Sequence, residues 1–97
     1  MTEQELIKGC IKQNPLCQRM LFDQYAGKFM TVCLRYANDA MEAEDMLQDG
    51  FVRIFNNIHQ FKFEGSFEGW MRRIVVNVCL KQLQKNQHKK GWYLMCY

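Results

Sequence analysis

The chain has 97 residues, of which 48% are apolar, and it carries a formal net charge of +3. This length supports one hydrophobic core, so we expect a single domain. No apolar run approaches the roughly 20 residues of a membrane helix, and the start MTEQELIKGC lacks the basic-then-apolar order of a secretion signal. We therefore expect a soluble, cytoplasmic protein without membrane insertion.

The first two helices are predicted from their start signals. Thr2 and Glu5 have the spacing of a capping box, in which each side chain accepts a backbone N–H, and the helix should end near Gln13. Asn14-Pro15 then supplies an N-cap and a proline at the first helical position. The second helix should extend to about Tyr36.

A third helix should begin after Asp39, with Glu42 in capping-box spacing, and extend to about Ile58. Apolar residues recur along it at intervals of three and four, which is typical of a helix packed on one side. This stripe consists of Ala43, Met46, Leu47, Gly50, Phe51, Ile54, Phe55 and Ile58.

The fourth helix should follow a loop at His59–Gly65, with Ser66 as its N-cap. Its predicted buried stripe is Phe67, Trp70, Met71, Ile74, Val75 and Val78, with Leu83 further along. The fold class is therefore all-α, a compact bundle of three long helices plus a short N-terminal helix. We assign residues 1–90 to this domain and residues 91–97 to a C-terminal tail or an interdomain linker.

Charge is divided unevenly along the chain. Residues 1–58 contain six Lys or Arg and eight Asp or Glu, whereas residues 59–97 contain seven and two, so the halves carry about −2 and +5. On helix three the outward residues include Asp45, Gln48, Asp49, Val52 and Arg53. Asp49 lies too deep in the helix to complement its dipole, so the spacing leaves two alternatives open for this face, a solvated surface and a protein-binding surface.

Helix four has a cationic face. Steps of three or four residues align Arg73, Asn77, Lys81, Gln84, Lys85 and His88. The preceding loop places Phe61 and Phe63 on either side of Lys62 at a helix entrance. Rings, cations and free backbone amides are what single-stranded nucleic acid requires, although a solvated helix face and buried phenylalanines would give the same pattern.

The cysteines and histidines show no metal or disulfide pattern. Five cysteines form no CxxC pair, and His59 and His88 are isolated, so we expect reduced thiols and no metal. Cys33 and Cys79 have apolar neighbours and are predicted to fill the core. No framed nucleophile or converging acid pair is present, so we expect neither an enzyme nor a cofactor.

Two segments resemble a known family in order and spacing. They are AEDMLQDGFVRIF (43–55) and FEGSFEGWMRRIVVN (63–77), within a resemblance that covers 21–80. The chain is identified as similar to region 2 of extracytoplasmic-function (ECF) sigma factors of the sigma-70 family. The resemblance implies a bacterial transcription initiation factor domain that binds RNA polymerase core and DNA.

The resemblance also implies roles for both faces. The segment 43–55 would dock on the clamp helices of the largest polymerase subunit. The predicted polymerase contacts are Asp45, Gln48, Asp49 and Val52, with Arg53 at the border towards DNA. The loop and last helix would melt the promoter −10 element and capture a base of the non-template strand. The predicted DNA contacts are Phe61, Lys62, Phe63, Gly65 and Ser66 in the capturing loop, Asn77 at the base or strand, and Arg73, Lys81 and Lys85 at phosphates.

Some positions depart from the family pattern. Asp49 replaces a common glutamate and keeps its charge, whereas Lys81 and Gln84 stand where the family often has Asp and Arg. Full-length members continue into a domain that reads the −35 element. Members often have a cognate anti-sigma factor, so the resemblance also allows an anti-sigma partner that could cover the same faces. The alternative function is a helical interaction module, a decoy or adaptor that binds a partner but does not read DNA.

Overall fold

The computed structural model describes the backbone of residues 1–96 and the side chains of residues 1–85. Its elements are α1 (Glu3–Ile11), α2 (Pro15–Tyr36), α3 (Ala40–Asn57), a 3-10 helix (Ile58–Gln60) and α4 (Phe67–Cys96). No strand occurs in residues 1–96, so the predicted all-α class and its four helices are confirmed.

Each predicted N-cap is confirmed by a side-chain oxygen that accepts a backbone N–H two or three residues later. The capping residues are Thr2, Asn14, Asp39 and Ser66. The reciprocal half of the two capping boxes is not formed among the described side chains. At α3, Glu42 Oε2 instead accepts a hydrogen bond from the Asn38 side-chain amide over 3.4 Å.

Helix ends differ from the prediction by a few residues. α1 stops at Ile11 because the chain turns there, with Gln13 in the left-handed region at φ 62°. α3 gives way to a 3-10 turn at Ile58. α4 continues to Cys96 and therefore enters the segment 91–97, which was assigned to a tail or linker. The side chains of that segment lie outside the described residues. The domain boundary at residue 90 remains a prediction.

The core lies around α2, which packs against each of the other three α-helices. The predicted stripes are buried, except that Phe55, Trp70, Ile74 and Leu83 are only half-buried. Cys33 and Cys79 are fully buried with their Sγ atoms 3.8 Å apart, which confirms their role as core fillers. Burial raises the pKa of the Cys33 thiol to about 12, so this thiol stays protonated.

The close contact of α3 with α4 depends on Gly50. A Cβ at this position would lie 3.1 Å from Val75 Cγ2, so a larger residue would force Val75 or the helix to shift by a few tenths of an ångström. The outward faces of α3 and α4 are consequently neighbours on one surface. None of the helices in the described part of the chain combines the length and apolarity needed to cross a membrane.

Candidate functional site

The outward face of α3 is fully available to a partner. All five residues of the predicted polymerase face are exposed: Asp45, Gln48, Asp49, Val52 and Arg53. Val52, the one apolar residue of this set, exposes 57% of its surface. The face therefore combines carboxylates with one apolar contact point, which suits a protein partner that carries cations.

One hydrogen bond joins this face to α4. Gln82 Nε2 donates to Asp49 Oδ2 over 2.8 Å, between residues 33 positions apart in sequence. Among the described side chains, Asp49 has no ion pair. Its carboxylate is thus oriented by a neutral amide, and no cation among the side chains of residues 1–85 forms an ion pair with it.

A groove of about 320 Å³ lies beside this bond, between α3 and α4. The groove is lined by Asp49, Val52, Arg53, Val78, Lys81, Gln82 and Lys85. It therefore brings residues of the predicted polymerase face together with two of the predicted phosphate contacts.

The loop before α4 packs on a cluster of aromatic side chains. Phe61 is only 7% exposed, and its ring centroid lies 5.1 Å from that of Phe67 and 5.5 Å from that of Trp70. Phe63 remains 40% exposed, with its ring 5.3 Å from that of Phe61. Buried packing thus accounts for Phe61, and Phe63 supplies the ring that a base could reach.

Two residues of the loop have left-handed backbone angles. Phe63 has φ 60° and Gly65 has φ 75°, both in the left-handed region. A non-glycine residue there costs roughly 1–2 kcal/mol, and such strain is concentrated at functional sites. Lys62, Glu64, Gly65 and Ser66 are all exposed around Phe63.

The entrance of α4 is fixed by a cap and an ion-pair bridge. Ser66 Oγ accepts the N–H of Gly69 over 3.0 Å. The Glu68 carboxylate contacts Lys28 Nζ on α2 at 3.0 Å and Arg72 at 3.6 Å. The bridge therefore ties the start of α4, and with it the loop, to α2.

The cationic face of α4 is exposed as predicted. Arg73, Asn77, Lys81 and Lys85 all face solvent, whereas the side chain of His88 lies outside the described residues. Arg73 has no ion pair with a described side chain, in contrast to its neighbour Arg72. Arg73 is thus free to bind an anion.

Sequence reasoning missed Gln82. It lies next to Lys81 and has no distinguishing spacing, because its role depends on how α4 crosses α3. The contact at Gly50 brings the two helices close, and only the folded structure shows that Asp49 and Gln82 then meet.

Comparison with known proteins shows the class to which this fold and these faces belong. The model of the family Sigma-70 region 2 matches residues 21–89. The chain therefore belongs to the sigma-70 region 2 family.

The relatives refine that class to the extracytoplasmic-function group. The chain is 32% identical over 93 residues to the ECF RNA polymerase sigma factor SigW of Bacillus subtilis, covering 92% of this chain and 49% of SigW. It is 31% identical over 65 residues to SigE of Mycolicibacterium smegmatis, covering 67% and 25% of the two chains. The chain thus spans about half the length of SigW and a quarter of SigE. It is a region 2 domain of the ECF type.

A solved structure has the same fold. An engineered region 2 of sigmaE, determined by NMR in complex with GTAAAA, superimposes with a TM-score of 0.83 at 22% identity. The match covers 92% of this chain and 93% of that one. The predicted sigma region 2-like bundle is thereby confirmed.

Proposed function

We propose that this domain binds RNA polymerase core through α3 and recognises the promoter −10 element, as single-stranded non-template DNA, through the loop and α4. The observation that carries the proposal is the division of one surface into an acidic, partly apolar face and a cationic face with an exposed ring. Both lie in a chain of the sigma-70 region 2 family. The domain acts by binding and positioning and requires no covalent chemistry.

The polymerase contact rests on α3. Asp45 and Asp49 are one turn apart and exposed, so they present two carboxylates in a row to a partner helix. Val52 adds exposed apolar area to the same face, and its burial against a partner would contribute to affinity. A coiled coil such as the clamp helices of the largest polymerase subunit offers a matching elongated surface.

The base contact rests on the loop. Extruding a base from its stack costs a few kcal/mol, and stacking on an aromatic ring returns about 1–3 kcal/mol. Phe63 is the exposed ring, supported from below by Phe61. Lys62, Gly65 and Ser66 are exposed in the same loop, and in this proposal the lysine and the backbone amides contact the base edge and its phosphate.

The strand contact rests on α4. Arg73, Asn77 and Lys81 follow one another along the exposed side, at the spacing of successive turns. Two cations and an amide in this row would track a sugar–phosphate backbone, with Lys85 extending the row.

The polymerase contact is tested by titrating purified bacterial core polymerase with the chain. Asp45→Lys/Asp49→Lys should abolish saturable binding. The matched control is Lys8→Glu/Lys12→Glu, which changes two exposed charges on or next to α1, away from both faces. No binding by the folded wild-type chain, or equal binding by the α3 variant, would contradict the polymerase assignment.

The DNA contact is tested with a fluorescent single-stranded oligonucleotide containing GTAAAA. Arg73→Glu/Lys81→Glu should weaken binding and reduce the slope of log affinity against log salt by about 1.4, at about 0.7 per phosphate contact. Polymerase binding without any DNA binding would instead support the interaction-module alternative.

A further inference from the structure

The side of α2 turned away from the core carries an ordered row of residues. The row advances in alternating steps of four and three, the spacing that keeps one face of a helix against another helix. It consists of Leu16, Met20, Asp23, Gly27, Met30 and Leu34, called here the α2 seam. Leu16, Met20 and Leu34 are exposed, Leu16 over 75% of its surface, and Met30 is half-buried. Several exposed large apolar side chains in one row are typical of an interaction surface.

The α2 seam has nearly the same order of side chains when it is read from either end. Leu16 and Leu34 are equally distant from residue 25, and so are Met20 and Met30. Two antiparallel copies of α2 centred on residue 25 would therefore place leucine on leucine and methionine on methionine. A contact between identical chains about a twofold axis requires such a self-complementary patch, whereas a contact with a different protein does not.

The centre of the α2 seam gives room without repulsion. A Cβ built on Gly27 would have no heavy atom within 4 Å, so the glycine allows another helix to approach closely. In the antiparallel pairing, Asp23 of the other copy lies over this glycine. The Asp23 carboxylate is 3.4 Å from Arg19 Nε of its own helix, so each copy presents a neutral ion pair and the two copies do not repel each other.

We propose that the α2 seam binds a second copy of this chain, as an antiparallel pair of α2 helices with a twofold axis at residue 25. The inference does not depend on the proposed function, since the seam shares no residue with the predicted polymerase and DNA contacts. Both of those faces remain available in each copy of the dimer.

The length of the seam sets a weak affinity. Leu16 and Leu34 are separated by about 27 Å along the helix, at roughly 1.5 Å per residue. Contact along one helix of this length should bury no more than about 1,000 Å², where stable interfaces begin. We therefore expect a dissociation constant on the order of 100 μM.

The test is sedimentation equilibrium of the chain from about 10 μM to about 1 mM, a range that brackets the expected constant. The wild type should show a monomer–dimer equilibrium, and Met20→Glu/Leu34→Glu should stay monomeric. The matched control is Met41→Glu/Val52→Glu, which places the same charges on two exposed apolar residues of α3 and should dimerise like the wild type. Urea unfolding verifies that both variants are folded. A wild type that is monomeric throughout, assembly beyond a dimer, or equal dimerisation of the two variants would overturn the proposal.

Asp23→Leu tests the seam by a gain of affinity. The substitution replaces the one charged residue of the seam with an apolar side chain, which should tighten dimerisation by about tenfold. Loss of the exposed Arg19 ion pair should cost the monomer little. An unchanged or weaker dissociation constant would contradict the pairing.

The antiparallel register is tested by cross-linking. Leu16→Cys and Leu34→Cys, both in a Cys96→Ser background, should form a disulfide-linked dimer with glutathione disulfide when they are mixed, and much less when each is alone. The other four cysteines are buried, so they should not react. Cross-linking of each variant with itself in preference to the mixture would indicate a parallel pair, and either that result or no cross-link at all would refute the antiparallel dimer.

Discussion

Gly65 offers a test of the loop geometry that does not depend on side-chain contacts. At φ 75°, a Cβ added to Gly65 would have no heavy atom within 4 Å, so Gly65→Ala introduces no clash. The whole cost is then the backbone cost of a left-handed alanine, about 1–2 kcal/mol. For a domain of this size, about 1 kcal/mol corresponds to a melting temperature roughly 4–8 °C lower.

The cost of Gly65→Ala can be measured in two assays, urea unfolding and single-stranded DNA binding. If the loop keeps its shape, urea unfolding should show the loss of about 1–2 kcal/mol. If the loop instead changes its conformation, stability should change little and the affinity for single-stranded DNA should fall by about fivefold or more. Gly65→Asn should be milder in both assays, because asparagine tolerates the left-handed region. Unchanged stability together with unchanged DNA affinity would refute the loop geometry, as would an asparagine variant as impaired as the alanine variant.

Three further predictions concern the bundle that carries the two faces. Asp39→Ala should lower the free energy of unfolding by about 1 kcal/mol, measured by urea denaturation, because α3 loses the oxygen that accepts the Glu42 N–H at 2.8 Å. Lys28→Gln should cost less than about 1 kcal/mol in low salt, and nothing in 1 M NaCl, because its ion pair with Glu68 is partly exposed. Burial raises the thiol pKa of Cys33 from 9.0 to about 12 and that of Cys10 from 9.0 to about 11. The folded state therefore holds both protons more tightly than the unfolded chain does. The resulting stability is fully present below about pH 9 and is lost as the pH rises through the pKa values of the folded state. Cys33→Ala should therefore flatten the decline of the unfolding free energy above pH 9 by about 1.4 kcal/mol per pH unit, measured against the wild type.

The local signals in the sequence predicted the helices well because they act over short distances. Asn14-Pro15, Asp39 and Ser66 each mark a helix start through bonds to residues two or three positions away. The outward faces of α3 and α4 followed by subtraction from the apolar stripes. The relation between the faces could not be predicted, because Asp49 and Gln82 meet only through the crossing of two helices.

The conformation of the loop before α4 could not be predicted from the sequence either. Phe61 and Phe63 are identical residues two positions apart, and spacing alone gives no reason to bury one and expose the other. Phe61 packs on Phe67 and Trp70, whereas Phe63 is itself in the left-handed region and lies beside Phe61 with 40% of its surface exposed. The tertiary packing of the loop therefore decides which ring is proposed to contact a base.

The hydrogen-bond partner of Asp49 is the neutral Gln82, and this affects how strongly the Asp49 carboxylate can attract a cation of another protein. A lysine in place of Gln82 would form an ion pair, neutralise the carboxylate and lower its attraction for a cation of another protein. A neutral amide orients the carboxylate through one hydrogen bond and leaves its charge intact. Such a bond exchanges readily, because the net contribution of a hydrogen bond is only about 0.5–1.5 kcal/mol. In the proposed function, α3 can therefore present a defined acidic contact to polymerase with its charge available to the partner.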